Sequence, residues 1–213
     1  MTKRILILFL FCLTLLGNAQ NNPEVSIEDL VSNYTKQLQS RKIDTICVYK
    51  NNCGYCATKI DPDTKEICVD FPIYVFWKQN GKTSITKINY CWEYSEIIVA
   101  KDAFWKIYHS NKNIIKKEKF EEFEYFPYKN ITEVKCALLV DHSGVQNFKM
   151  IINDKIFEKH FNSFQMKEQN DAGIVNINYN HNNDLKSKLI MDILEKTVSE
   201  AEINNTFKKI KSR

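Results

Sequence analysis

Glycine and proline are both scarce, with five and four among 213 residues, and no stretch is rich in either. That excludes a flexible inter-domain linker and a long disordered tail of the common compositions. An excess of one charge is also missing. The 30 basic residues stand against 26 acidic ones, a balance that gives no electrostatic footprint for nucleic acid. Histidine is sparse and dispersed, at 109, 142, 160 and 181, with no zinc-protease pair and no nucleophile elbow nearby. Asp141-His142-Ser143-Gly144 holds the residue types of a catalytic triad. Neighbours in one turn do not give triad geometry, so this stretch reads as a solvated turn.

Long apolar runs are absent except for Ile5 to Leu16. Lys3 and Arg4 precede that run, and Gly17-Asn18-Ala19 follows it with small residues where a signal peptidase reads. The pattern is that of a secretory signal peptide over residues 1–19. The run is too short to span a bilayer. Leu10 and Phe11 are too bulky for a lipid anchor at Cys12. Cleavage near Ala19 is expected to leave residues 20–213 as a single exported α+β domain with no membrane span, secreted or periplasmic. Loss of Lys3 and Arg4 lowers the basic count to 28, a formal charge of about +2.

Cys47, Cys53, Cys56, Cys68, Cys91 and Cys136 remain after cleavage. An even number in an exported chain favours disulfides, and these six read as structural cysteines, with fifteen full pairings open. Cys68 and Cys91 share a face of the hairpin expected between Ile67 and Trp92 but meet only diagonally in its register, at or beyond disulfide reach unless the turn slips by two residues, and Cys53 with Cys56 is the local alternative. Cys53-Gly54-Tyr55-Cys56 resembles the dithiol of the thioredoxin-like oxidoreductases. In that family such a motif opens a helix, whose N-terminus lowers the thiolate pKa of the first cysteine. The resemblance implies thiol–disulfide exchange, with Cys53 attacking and Cys56 resolving the mixed disulfide. It covers four residues. Asp61-Pro62-Asp63 interrupts the helix the motif requires, and neither Pro72 nor Pro127 stands where that fold places its cis-proline. A zinc site from Cys47, Cys53, Cys56 and Cys68 lacks the second close pair of the common ribbons, so no metal and no cofactor is expected.

Hydrophobic periodicity predicts a helix from Pro23 to Arg41, capped by Ser26 with Asp29 closing an acidic capping box. Ile43 to Lys50 reads as a strand. Asn80-Gly81 predicts a type I′ hairpin between Ile67 and Trp92, with Gln79 facing Lys82. Parity then puts Ile73, Val75, Trp77 and Ile88 on one face and Tyr74, Phe76 and Lys87 on the other. Asp102 can cap a second helix. A second hairpin is expected between Glu133–Val140 and Val145–Asn153, a further strand at Ile174–Tyr179, and a long helix from Asp184 to about Ile210.

The expected fold is α+β, an antiparallel sheet of about five strands packed against N-terminal, middle and C-terminal helices. Without a catalytic constellation, the expected function is non-catalytic binding or an envelope-associated role, with a protein or a small ligand as partner. Tyr74 and Phe76, aromatic and opposite the first core face, are either covered by a helix, the favoured reading because several amphipathic helices can cover both sheet faces, or exposed as the ligand-binding candidates. The alternative is a periplasmic thiol–disulfide oxidoreductase acting through Cys53 and Cys56.

Overall fold

The computed structural model describes residues 26–52, 59–60, 67–68, 71–100, 102–128, 134–140 and 143–212. The expected signal peptide, the Cys53-Gly54-Tyr55-Cys56 motif, the Asp61-Pro62-Asp63 turn and His142 lie outside these residues. Helix α1 (Ile27–Ser40) begins at Ser26 with the expected capping box, Ser26 accepting from the Asp29 amide and Asp29 accepting from the Ser26 amide. Its end is a Schellman motif. The Ile43 amide donates to the Leu38 carbonyl at 3.1 Å and the Lys42 amide to the Gln39 carbonyl at 2.8 Å, with Lys42 left-handed at φ 62°.

Strand β1 (Thr45–Asn52) follows, then the two-residue strands β2 (Lys59–Ile60) and β3 (Ile67–Cys68), which pair with each other. Strands β4 (Ile73–Gln79) and β5 (Lys82–Ile88) form the expected hairpin with Gln79 opposite Lys82. Asn80 and Gly81 both take positive φ, 51° and 76°, as a type I′ turn demands. The hairpin is shorter than the sequence suggests. Asn89 Oδ1 accepts the amides of Cys91 (3.2 Å) and Trp92 (2.8 Å), which turns the chain out of the ladder before Cys91.

Short strands β6 (Trp92–Tyr94) and β7 (Ile97–Val99) then share the outer edge of β5. Helix α2 (Ala103–Lys117) is next, followed by β8 (Glu124–Tyr125) and β9 (Cys136–Ala137), which pair with each other. The expected hairpin upstream of Val145 does not form. Strand β10 (Val145–Ile152) instead turns at Asn153 and Asp154, both left-handed at 47° and 63°, into β11 (Lys155–Asn162). The other edge of β10 is taken by β1.

Ile174–Tyr179 is likewise not a strand. The Asn176 amide group donates to the carbonyls of Gln165 (3.0 Å) and Lys167 (3.2 Å), and its oxygen accepts from the Asn178 amide (3.0 Å). These side-chain bonds compete with a ladder and hold a turn. The expected C-terminal helix divides into α3 (Tyr179–Asp184) and α4 (Lys186–Ile203). Left-handed Asn205 then stops α4 in a second Schellman motif, and β12 (Lys209–Ser212) pairs with β6 where the helix was expected to run on to about Ile210.

The protein is α+β, with one eight-stranded antiparallel sheet in the order β11-β10-β1-β4-β5-β6-β12 and β7 also on β5. It is sandwiched between unequal helical layers. Cys47, Tyr49, Tyr74, Phe76, Phe148 and Met150 face α2 and α4, meeting Phe104, Trp105, Ile190 and Leu194. Ile46, Val48, Val75 and Trp77 face α1, meeting Ile27, Val31 and Leu38. Burial on both faces explains why β4 is apolar without alternation. Each such side chain contributes about 1.5–3 kcal/mol by leaving water.

Candidate functional site

Among the described residues one helix, α1, stands on the face of the sheet that carries Val48 and Val75, and the strands it leaves uncovered are those on the β1, β10 and β11 side. Register places the residues that face α1 there in rows: Val48 beside Lys149 beside Glu158, and Lys50 beside Asn147 beside His160. Under the helix those positions are apolar. Beyond it they are charged or polar. Between the rows and α1 runs a cleft of about 360 Å³, within the size range of small-molecule sites. Glu28, Val31, Ser32 and Thr35 line it from the helix, a stripe at the 3.6-residue period. Val48, Lys50, Ile73, Asn147, Lys149, Ile151 and Glu158 line it from the sheet.

The floor is aliphatic, from Val31, Val48, Ile73 and Ile151, all buried. The charges around it are not equally engaged. Lys50 Nζ donates to Glu28 Oε1 at 2.6 Å, and this bond holds the Glu28 carboxyl below its ordinary pKa. Glu158 lies 3.6 Å from His160 Nε2. Lys149 is half-buried, sits directly across the ladder from both Val48 and Glu158, and has no carboxylate within 4 Å among the described residues. The lysine thus lays part of its stem along the cleft wall and presents an ammonium with no described carboxylate partner, which an anion in the cleft can engage.

A second polar cluster closes rather than opens a site. Tyr74 Oη donates to Glu202 Oε1 at 2.8 Å, and Lys87 Nζ stands 3.1 Å from the same oxygen and 5.0 Å from the centre of the Tyr94 ring. These bonds tie the end of α4 to the sheet. Of the two readings of Tyr74 and Phe76, cover by helices and exposure to a ligand, the structure shows the favoured one, cover, so neither stands open as a ligand-binding residue. Tyr74 is buried between Tyr49 and Phe207, and Phe76 is fully buried against Phe104. The larger helical layer covers the face on which they stand.

The cysteines do not act as one framework. Cys47 and Cys136 are free thiols, so a complete three-bridge pairing does not form. Cys47 lies in the core, where burial pushes its thiol well above the ordinary value. Cys91 is disulfide-bonded. The Cys68 backbone ends β3 opposite Lys59, and Cys53 and Cys56 lie outside the described residues. Among the described residues no group of three histidines, cysteines or acids is arranged to hold a metal. No described helix is long and apolar enough to cross a membrane.

The cleft residues were not singled out in the sequence because nothing local marks them. Asn147 and Lys149 alternate with Phe148 and Met150 as on any half-buried strand. Only the pairing of β1 with β10, about a hundred residues apart, shows that Lys149 stands beside Val48. Comparison of the chain with protein-family models, with curated proteins and with solved structures finds no match.

Proposed function

We propose that the protein is an exported, non-catalytic binding domain and that the cleft beside α1 is its ligand seat. The observation that carries the reading is Lys149, a half-buried lysine without a described carboxylate partner beside an aliphatic floor. An apolar cavity with a few convergent polar groups is the usual form of a small-ligand site. The cleft groups supply binding but no nucleophile paired with a base. The proposal includes secretion to a periplasmic or extracellular space after cleavage near Ala19, with disulfides drawn from Cys53, Cys56, Cys68 and Cys91 and with Cys47 and Cys136 left as thiols.

The test is a fragment screen of the mature domain followed by amide nitrogen–proton correlation spectra. Fragments that bind are expected to move the amides of Thr35, Val48, Asn147 and Lys149 together. A screen in which hits leave these amides unmoved and gather elsewhere rejects the cleft as the seat.

A further inference from the structure

We infer that the cleft beside α1 receives a small organic monocarboxylate with an aliphatic body, an inference that rests on the binding reading above and names its ligand class. Three features of the lining select that chemistry.

The sign of the charge comes from Lys149. Glu28 is engaged by Lys50 at 2.6 Å, and Glu158 is 3.6 Å from His160. Lys149 and Glu158 face each other across the ladder without forming an ion pair. The cation left for a ligand is therefore Lys149, and its complement is an anion.

The magnitude of the charge follows from the rest of the lining. Among the described residues that line it there is no arginine and one unengaged lysine. Phosphate and other dianions are typically held by arginine forks or by several donors at once. A single ammonium, with the Asn147 amide two residues along the same strand face, matches one carboxylate: one oxygen for Lys149 and one for Asn147. Glu28 and Glu158 at the rim repel any further negative charge.

The body of the ligand follows from the floor. Val31, Val48, Ile73 and Ile151 are aliphatic, and none of the described residues lining the cleft is aromatic. Sites that select aromatic or sugar-like ligands generally offer a ring for stacking. This one offers a strip of branched aliphatic surface, which suits a flexible alkyl chain held by its apolar contact area alone. The volume of about 360 Å³ lies near the small end of ligand sites, so the ligand is short.

The experiment compares octanoate with octanol, equal in chain length and different in charge, by calorimetry and by amide shifts. It uses the native domain and its Lys149→Met, Lys149→Gln and Lys149→Arg variants. Octanoate is expected to shift the amides of Val48 and Asn147 and to bind roughly tenfold tighter than octanol, the worth of one charge-assisted hydrogen bond. That preference should vanish in Lys149→Met and Lys149→Gln and return in Lys149→Arg. The native comparison needs no variant to fold, and Lys149→Gln keeps a polar group should the methionine variant lose its structure. If octanol binds in the cleft as tightly as octanoate, the carboxylate class is overturned while the cleft stands as a binding site. If octanoate binds with its preference intact in both uncharged variants, the assignment to Lys149 is overturned. If neither probe moves the cleft amides, the ligand class is overturned, and the fragment screen decides separately whether the binding reading falls with it.

Discussion

The Glu118 carboxylate closes the N-terminus of α4 from the far end of α2, its Oε2 accepting the Ser187 amide at 2.9 Å while Oε1 accepts the Lys186 amide at 2.7 Å. Leu185, which stands at the N-cap position, has no side-chain oxygen to offer. A cap is thus supplied by a residue 69 positions earlier in the chain, and it joins the two helices that cover the larger apolar layer. The negative charge also suits the positive end of the helix dipole.

Replacing Glu118 with alanine should therefore destabilise the domain by about 1–2 kcal/mol, the usual worth of a helix cap. Glu118→Gln keeps one acceptor and should lose less. Urea unfolding midpoints with an unchanged slope measure both. A Glu118→Ala midpoint indistinguishable from native would show that water serves the two amides equally well.

Lys42 invites the opposite change. It occupies the left-handed position of the Schellman motif at φ 62°, where glycine is usual, and its side chain is exposed and makes no described contact. Left-handed backbone costs a residue with a Cβ about 1–2 kcal/mol, and glycine returns part of that through its freer unfolded chain. Lys42→Gly should raise stability by about 0.5–1 kcal/mol. A loss of stability in the same unfolding assay would mean that the lysine contributes something its surroundings do not reveal.

These two positions show what the sequence discloses and what it withholds. Ser26 with Asp29 and Asn80 with Gly81 are signals carried within four residues, and both the capping box and the hairpin register are read from them correctly. Asn153-Asp154 carries the same kind of signal, whereas the sequence reading sets the hairpin at His142-Ser143-Gly144, on the wrong side of β10. Tyr74 and Phe76 were assigned to the right face by parity. Whether that face is covered depends on α2 and α4, which lie far along the chain. The cleft is still less legible, because it exists only where α1 fails to reach across β10 and β11. The α+β class follows from alternation and periodicity, whereas eight strands in one sheet require the remote pairings of β1 with β10 and β6 with β12.

The two free thiols should differ in reactivity. Cys47 is fully buried and its thiol is held protonated by the apolar surroundings, whereas Cys136 is half-buried at the start of a two-residue strand. Reactivity follows thiolate character and access. Brief alkylation of the folded, unreduced domain is expected to label Cys136 and leave Cys47 unmodified, and denaturant should expose both. Mass mapping of the peptides reads the result. Equal labelling of Cys47 under native conditions would mean that β1 opens from the core far more often than its packing implies.

Glu28 links stability and binding in opposite directions. Its carboxyl is held below the ordinary value of 4.5 chiefly by the hydrogen bond from Lys50, with burial opposing. A group whose folded pKa is depressed binds fewer protons folded than unfolded near that value. Its stabilisation is thus complete above the ordinary glutamate range and disappears as pH falls through the folded value. Because the Glu28 side chain is 60% exposed, screening keeps the effect small, about 0.5 kcal/mol. Glu28→Gln should be slightly less stable than native at neutral pH and equal to it at about pH 2, where both side chains are uncharged. The same substitution leaves Lys50 without its carboxylate beside Lys149 on the cleft wall. Octanoate should then bind a few-fold tighter at neutral pH although the domain is no more stable, since a second cation has become available to the carboxylate. Calorimetry on the variant decides this. Weaker octanoate binding in Glu28→Gln would mean that the Lys50 to Glu28 bond shapes the cleft rather than competing with its ligand.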